Sequence, residues 1–245
     1  MRIELEGVTK IYNRGESNEV IALQRVDLAI ASGEMVCLRG ASGSGKTTLL
    51  SIIGCIFPPS SGRAELGGKK VSRLPDHFLC RFRREKIGFI FQDFNIIGDL
   101  SVIENVSLPL FPAGVSGKDR TERAAALLSS YHLMERAYFK VDSISGGELQ
   151  RVAICRALIN NPPVIIADEP TAHLDSGLAT SFMDSIAQLK KQGKTIVIAS
   201  HDPRVFERVE IDRVMDVVDG RVLPEVDQQS GFRDVVNERS VVLGD

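Results

Sequence analysis

Along the first 35 residues, apolar side chains fall near every second position. Ile3, Leu5 and Val8 show the spacing and Val20 to Ile30 repeats it, so both segments are predicted as strands, punctuated by Asn13-Arg14-Gly15 and Ser32-Gly33. Met35 to Arg39 is predicted as a short strand, followed by a glycine-rich loop and a helix from about Lys46 to Phe57 that Pro58-Pro59-Ser60-Ser61-Gly62 stops. Ile87 to Phe91 again reads as a strand. Over residues 100–160 the spacing turns helical, with Ala124, Leu127, Leu128 and Tyr131 on one face of a helix over Thr121–Tyr131 and a second helix over Glu148–Leu158. Val164–Ala167 is apolar without interruption, as a strand covered on both faces of a parallel sheet is, and Thr195–Ala199 is predicted as a second buried strand. Between them Asp175 and Ser176 precede a helix whose stripe is Leu178, Phe182, Met183, Ile186 and Leu189, and Gly193 ends it. Asp219-Gly220 predicts a hairpin between Met215–Val218 and Arg221–Leu223.

Strands alternating with helices imply an α/β fold with a mainly parallel core sheet. The helical stretch over about 93–160 interrupts the alternation and reads as an inserted helical subdomain. One domain over residues 1–225 is expected, followed by a tail over 226–245 whose periodicity is weak.

Composition narrows the function classes. The 245 residues are 43% apolar and 25% charged with a net charge of −2, so a general nucleic-acid binder, which carries a basic excess, is not expected. Residues 63–86 hold eight basic and three acidic side chains, read as a solvated face. The longest apolar candidate for a membrane span, Leu49 to Phe57, is too short to cross. The charged, alternating start Met1-Arg2-Ile3-Glu4-Leu5-Glu6 lacks the apolar core of a secretory signal. Cys37, Cys55, Cys80 and Cys155 form no close pair, which suits free thiols in a reducing cytosol. His77 and His132 have no metal-ligand company.

Chemistry enters at Gly40-Ala41-Ser42-Gly43-Ser44-Gly45-Lys46-Thr47, which matches G-x-x-x-x-G-K-[ST] between a predicted strand and a predicted helix. Glycines let the backbone wrap closely, so amide groups point at phosphate oxygens, and the helix N-terminus adds positive potential. Lys46 has the reach for β- and γ-phosphates and Thr47 suits Mg²⁺, with Thr48 next in the helix. Val164-Ile165-Ile166-Ala167-Asp168-Glu169 ends a buried strand in two carboxylates. Asp168 fits a second Mg²⁺ anchor, and Glu169 points toward an attacking water. These motifs establish a P-loop NTPase and leave its reaction open. No N-K-x-D-like guanine reader is present, and a small-molecule kinase remains possible on them alone.

Ser145-Gly146-Gly147-Glu148-Leu149-Gln150-Arg151, opening an apolar helix, resembles the signature motif of ABC ATPases. Gln92 after Ile87–Phe91 resembles their Q-loop glutamine, Ala172-His173-Leu174-Asp175 their D-loop and His201 their switch histidine. Tyr12 falls where that family places an aromatic that stacks on adenine. The resemblance covers residues 1 to about 223 through six ordered motifs. It implies the ABC ATPase fold, with an antiparallel β subdomain at the N-terminus. It implies ATP as substrate and Mg²⁺ as cofactor, and a head-to-tail homodimer burying two ATP molecules. In that scheme Lys46 and the loop residues from Gly40 to Thr48 hold the phosphates, and Thr47, Asp168 and Gln92 organise Mg²⁺. Glu169 is the general base and His201 contacts the γ-phosphate. Ser145, Gly146, Gly147 and Glu148 act in trans, and Asp175 links the two sites. His173 is read as interface packing.

Phe91–Val106 is similar to the pattern of the lipoprotein-release and macrolide-export group, as is Val20-Ile21-Ala22-Leu23. That likeness implies a subunit on the cytoplasmic face of the inner membrane, held there by a separate membrane permease docking beside the Q-loop. An ABC ATPase of a signalling complex that controls cell-wall hydrolysis is the alternative. Two departures stand out. Ile144 replaces the common leucine before the signature serine, and Tyr138-Phe139-Lys140-Val141-Asp142 lacks the subgroup's proline.

Overall fold

A computed structural model describes residues 1–223 apart from His173. The tail over 226–245 and the His173 reading lie outside the described residues. Two sheets organise the chain. Strands β1 (Ile3–Tyr12), β2 (Val20–Ile30), β4 (Ser61–Leu66) and β5 (Lys69–Lys70) form a four-stranded antiparallel sheet in the order β2-β1-β4-β5. The second sheet uses β3 (Met35–Arg39), β6 (Ile87–Ile90), β7 (Val164–Asp168), β8 (Thr195–Ala199), β9 (Arg213–Val218) and β10 (Arg221–Val222), in the order β10-β9-β3-β8-β7-β6. Its strands run parallel except β10, which closes the Asp219-Gly220 hairpin.

Every residue of β7 and β8 is buried, which is why Val164–Ala167 and Ile196–Ala199 within them are unbroken apolar runs. Helix α1 (Lys46–Ile53) packs under the sheet junction, where Leu49, Leu50, Ile52 and Ile53 join Ile3, Leu5, Val36 and Val197 in one core. It stops at Ile53 rather than Phe57, because Gly54 and Cys55, with φ 55° at Cys55, turn the chain before the prolines. On the other face of the parallel sheet, α5 (Gly146–Leu158), α6 (Ser176–Lys191) and α7 (Pro203–Phe206) bury Ile154, Phe182, Ile186 and Val205. At about 1.5–3 kcal/mol per buried large side chain, these two layers supply most of the driving force for folding.

A third cluster joins α3 (Val102–Ser107), α4 (Gly117–Ser130) and α5 through Val102, Val106, Leu128 and Val152. This is the helical insertion of the fold class. Helix α4 starts at Gly117, four residues before the predicted Thr121, because the Ser116 side chain caps it by accepting from the Asp119 amide. Residues 63–86 contain an element the apolar spacing does not reveal. Helix α2 (Asp76–Lys86) buries Leu79 and Phe82 and exposes Arg81, while Arg83 and Arg84 are half-buried and donate to the carbonyls of Cys55 and Pro112, so the stretch is not wholly a solvated face. Two apolar anchors in eleven residues are too few to show a 3.6-residue period.

Candidate functional site

The site grows from the ends of β3, β7 and β8, at the carboxyl edge of the parallel sheet, where α/β folds place ligands. Arg39 closes β3 with a two-pronged bond to Asp216 of β9, at 2.6 and 2.8 Å. The chain then enters the phosphate loop. Gly45 stands at φ 107°, and a Cβ there would lie 2.7 Å from the Ala22 carbonyl, so only glycine fits. A Cβ on Gly40 would lie 2.3 Å from the Val217 carbonyl oxygen. Helix α1 begins without a side-chain cap, leaving its first amides for a ligand.

Lys46 is buried, and its Nζ donates to the carbonyls of Gly40 (2.7 Å) and Ala41 (3.0 Å) while standing 3.4 Å from Glu169 Oε1. Glu169 follows β7 with φ 44°, an uncommon conformation for a residue with a side chain. Bonds from its own amide to Ala199 O (2.9 Å) and from the Ala172 amide to its carbonyl (3.2 Å) hold it there. The backbone strain aims the carboxylate, whose Oε1 also lies 3.0 Å from His201 Nδ1. One carboxylate oxygen therefore meets the phosphate-loop lysine and the histidine after β8 together.

Asp168 sits behind Glu169 and is buried. Burial raises its pKa above the usual carboxylate range and the Thr47 hydroxyl pulls the other way. Asp168 Oδ1 and Ser44 Oγ are buried without a hydrogen-bond partner. Two such orphan oxygens, one carboxylate and one hydroxyl, beside a buried ammonium fit a hard divalent cation and phosphate oxygens.

A cleft of about 460 Å³ joins Ser42, Gly43, Gly45, Lys46, Thr47, Thr48, Gln92, Glu169 and His201. Of the residues the sequence singled out, the structure thus brings these nine together from four separate segments. Other walls were not foreseen. Val20, Ile21, Ala22 and Gln24 line one side, and Asp219 and Gly220 another. The Gly220 amide donates to Ser44 O (2.9 Å) and the Gln24 amide to Gly220 O (2.8 Å), so the β9–β10 turn braces the phosphate loop. The Asp219-Gly220 pair carried a turn signal in the sequence and none for its contact with the loop.

Other singled-out residues stand apart from the cleft. Tyr12 pairs with Val20 across β1 and β2, and its ring meets Phe57 edge-on at 6.5 Å between centroids. Ser145 caps α5 in a reciprocal box, its Oγ accepting from the Glu148 amide (3.3 Å) while Glu148 Oε2 accepts from the Ser145 amide (2.8 Å). Ser145 and Gly146 are exposed, and a Cβ on the buried Gly147 would lie 2.5 Å from Leu178 Cδ2. Asp175 caps α6 by accepting from the Leu178 amide at 2.9 Å. Ser145 and Gly146 at the start of α5 are thus open to solvent and do not line the cleft that holds Lys46.

Comparison with known proteins places the chain in a family. The family model described as "ABC transporter" matches residues 23–172. The chain is 45% identical over 238 residues to the uncharacterized ABC transporter ATP-binding protein MJ0796 of Methanocaldococcus jannaschii, covering 95% of this chain and 99% of that protein. It is 43% identical over 223 residues to the macrolide export ATP-binding/permease protein MacB of Hyphomonas neptunium, covering 91% of this chain. It spans about a third of that relative's length, 34%. The dimeric structure of a post-hydrolysis state of MJ0796 bound to ADP and Pi superposes with a TM-score of 0.83 at 42% identity, covering 94% of this chain and 100% of that one. A second dimeric MJ0796 structure superposes with a TM-score of 0.82 over 91% of this chain and 97% of the other. Among the described residues no helix is long and apolar enough to cross a membrane. Phosphate loop, strand-end carboxylates, capped signature helix and relatives converge, and the chain belongs to the ABC transporter family as its ATP-binding cassette, the ATPase domain of that family.

Proposed function

We propose that the chain hydrolyses ATP in a head-to-tail dimer and thereby drives a membrane permease in lipoprotein release or export. The observation that carries the reading is the separation within one chain. Lys46, Thr47, Gln92, Glu169 and His201 meet in one cleft, while Ser145 and Gly146 are exposed elsewhere. A second copy laying its Ser145-Gly146-Gly147 over the first copy's cleft completes two sites at once.

In that reading the phosphates lie against the amides of Gly43 to Thr48, and the Lys46 ammonium exchanges the Gly40 and Ala41 carbonyls for β- and γ-oxygens. The residues fit Mg²⁺, held by Thr47, Asp168 and Gln92, which when bound neutralises charge on the β- and γ-oxygens. Glu169 accepts a proton from the attacking water, a contribution of about 10²–10⁴-fold in rate for a placed general base. His201, bonded to Glu169, fixes the carboxylate and faces the γ-phosphate. Tyr12, beside the cleft-lining Val20, stacks on adenine. Asp175 helps join the two sites. Loss of the γ-phosphate removes the shared ligand and opens the dimer. The likeness to MacB and the Phe91–Val106 segment support a permease docked beside the Q-loop, at the cytoplasmic face of the inner membrane.

Mixing two inactive variants tests the dimer. Lys46→Ala disables a chain's phosphate loop and Ser145→Arg disables its signature, so each alone hydrolyses little ATP. Mixed, one composite site per heterodimer is intact, and activity returns to a sizeable fraction of wild type. No recovery rejects the shared site. Affinity purification from membranes tests the permease, and recovery of only soluble ribosomal or DNA partners rejects it.

A further inference from the structure

The segment after Gln92 has an unusual backbone. Phe94 and Asn95 stand side by side in the left-handed region at φ 58° and 48°, although neither is glycine. Left-handed geometry at a bulky aromatic persists only where surroundings enforce it. Here the enforcing group is Arg156, in the third turn of α5. Its guanidinium donates to the Asn95 carbonyl at 2.6 Å and to the Phe94 carbonyl through the second nitrogen. The planar fork of arginine can hold two successive carbonyls at once, which the single ammonium of lysine cannot do with the same geometry.

Farther along the segment, the fully buried Asn105 of α3 makes a second set of ties. It donates to the carbonyls of Ile97 (3.0 Å), Leu100 (3.4 Å) and Ser101 (3.1 Å) and accepts from the Ile97 amide (2.9 Å). The loop from Phe94 to Ser101 is therefore wired to the helical insertion. Gln92, two residues before the first tie, lines the nucleotide cleft. The same α5 that carries Arg156 begins at the signature residues Ser145 to Gly147.

We propose that Arg156 is a positioning residue. It clamps the turn after Gln92 to α5, so that a shift of Gln92 on nucleotide binding carries the signature end of α5 with it. The inference rests on the proposed function, because it needs ATP to reach Gln92. A rigid helix makes the clamp a lever: the carbonyls at Phe94 and Asn95 are pulled at one end, and the surface offered to the partner copy moves at the other. With the clamp weakened, a chain still binds nucleotide at Gly40–Thr48, but α5 no longer follows.

The test uses Arg156→Lys and Arg156→Met, each checked for a cooperative melt. A lysine variant that folds keeps the charge and loses the fork. Hydrogen exchange with and without MgATP reports the phosphate loop and α5 separately, in a Glu169→Gln background that prevents turnover. The expected result is ATP-induced protection of residues 40–48 in all three proteins. Protection of the first turn of α5, and ATP-driven dimerisation, should weaken at least about tenfold in the Arg156 variants. Gln92→Ala should weaken the same two readouts and should add nothing further when combined with Arg156→Lys, as for two residues acting in series. Wild-type coupling of α5 in both Arg156 variants, or independent multiplication of the two losses, overturns the clamp. Absence of ATP protection at residues 40–48 in the parent chain overturns the functional reading, a different outcome from failure of the clamp.

Discussion

Glu169 Oε1 lies 3.0 Å from His201 Nδ1, and the two side chains come from neighbouring strand ends thirty-two residues apart. The carboxylate reaches that position through a left-handed backbone at Glu169. It is the only base in the cleft that also contacts Lys46, among the residues lining it. On the proposed function, a carboxylate bonded to an imidazole and set beside Lys46 would take a proton from water in front of a γ-phosphate.

Replacing that carboxylate by its amide keeps volume and removes basicity. Glu169→Gln should lower phosphate release by about 10²–10⁴-fold while leaving ATP binding within about threefold of wild type. Added MgATP should then trap the variant as a dimer on size exclusion. Wild-type phosphate release by this variant rejects the role of Glu169.

The phosphate loop offers two glycines with different constraints. Gly43 stands at φ 79°, and a Cβ added there would have no atom within 4 Å, whereas Gly45 combines φ 107° with the Ala22 carbonyl at 2.7 Å. Gly43→Ala should cost only backbone strain, about 1 kcal/mol, and Gly45→Ala about 3 kcal/mol or more with a large loss of nucleotide affinity. Thermal melts and titration with a fluorescent ATP analogue read both effects. Equal melting shifts for the two variants would contradict the steric argument.

Ser145 caps α5 within its own chain, and the proposed function gives it a second, intermolecular task that one substitution tests. Ser145→Ala removes the capping acceptor of α5 and should cost about 1 kcal/mol, or about 2–4 °C in melting temperature for a domain of this size. Nucleotide binding by the isolated chain should be unchanged, since Ser145 does not line its own cleft. Hydrolysis at protein concentrations that support dimers should fall by more than the stability loss explains.

The same cap predicts a pH effect. The Glu148 carboxylate is held below its usual range by bonds from the Ser145 amide, then the Ser145 hydroxyl and Arg136. A carboxylate whose folded pKa is depressed adds stability above its unfolded pKa, and that stability disappears as pH falls through the folded value. Between about pH 5 and pH 3, wild-type melting temperature should therefore fall more steeply than that of Glu148→Gln, which has no charge to lose there. Parallel curves would remove Glu148 from the acid-sensitive set.

How much of this was legible in advance differs from element to element. Strands β3 and β8 stand within their predicted bounds because their burial is total or nearly so and their apolar runs are long enough to read. Helix α2 escaped because only Leu79 and Phe82 are buried among its eleven residues, too sparse a pattern to betray a period. The phosphate loop was legible because its chemistry is local: glycines, lysine and threonine at fixed spacing must face one ligand. The walls contributed by Gln24, Asp219 and Gly220 were not, since contacts made by backbone amides and carbonyls leave little trace in side-chain identity.

Periodicity and short-range spacing are written directly in residue type, so the alternation of strands and helices, the phosphate loop, the paired carboxylates and the order of the family motifs are all legible in the chain before it folds. Tertiary structure alone decided that His201 and Lys46 meet at one oxygen of Glu169, that the β9–β10 turn braces the loop, and that Arg156 ties the turn after Gln92 to the signature helix. Each of those relations joins residues far apart in the chain. Their geometry is set by the register of the parallel sheet and the packing of α5 against it, quantities that emerge only when the whole core closes.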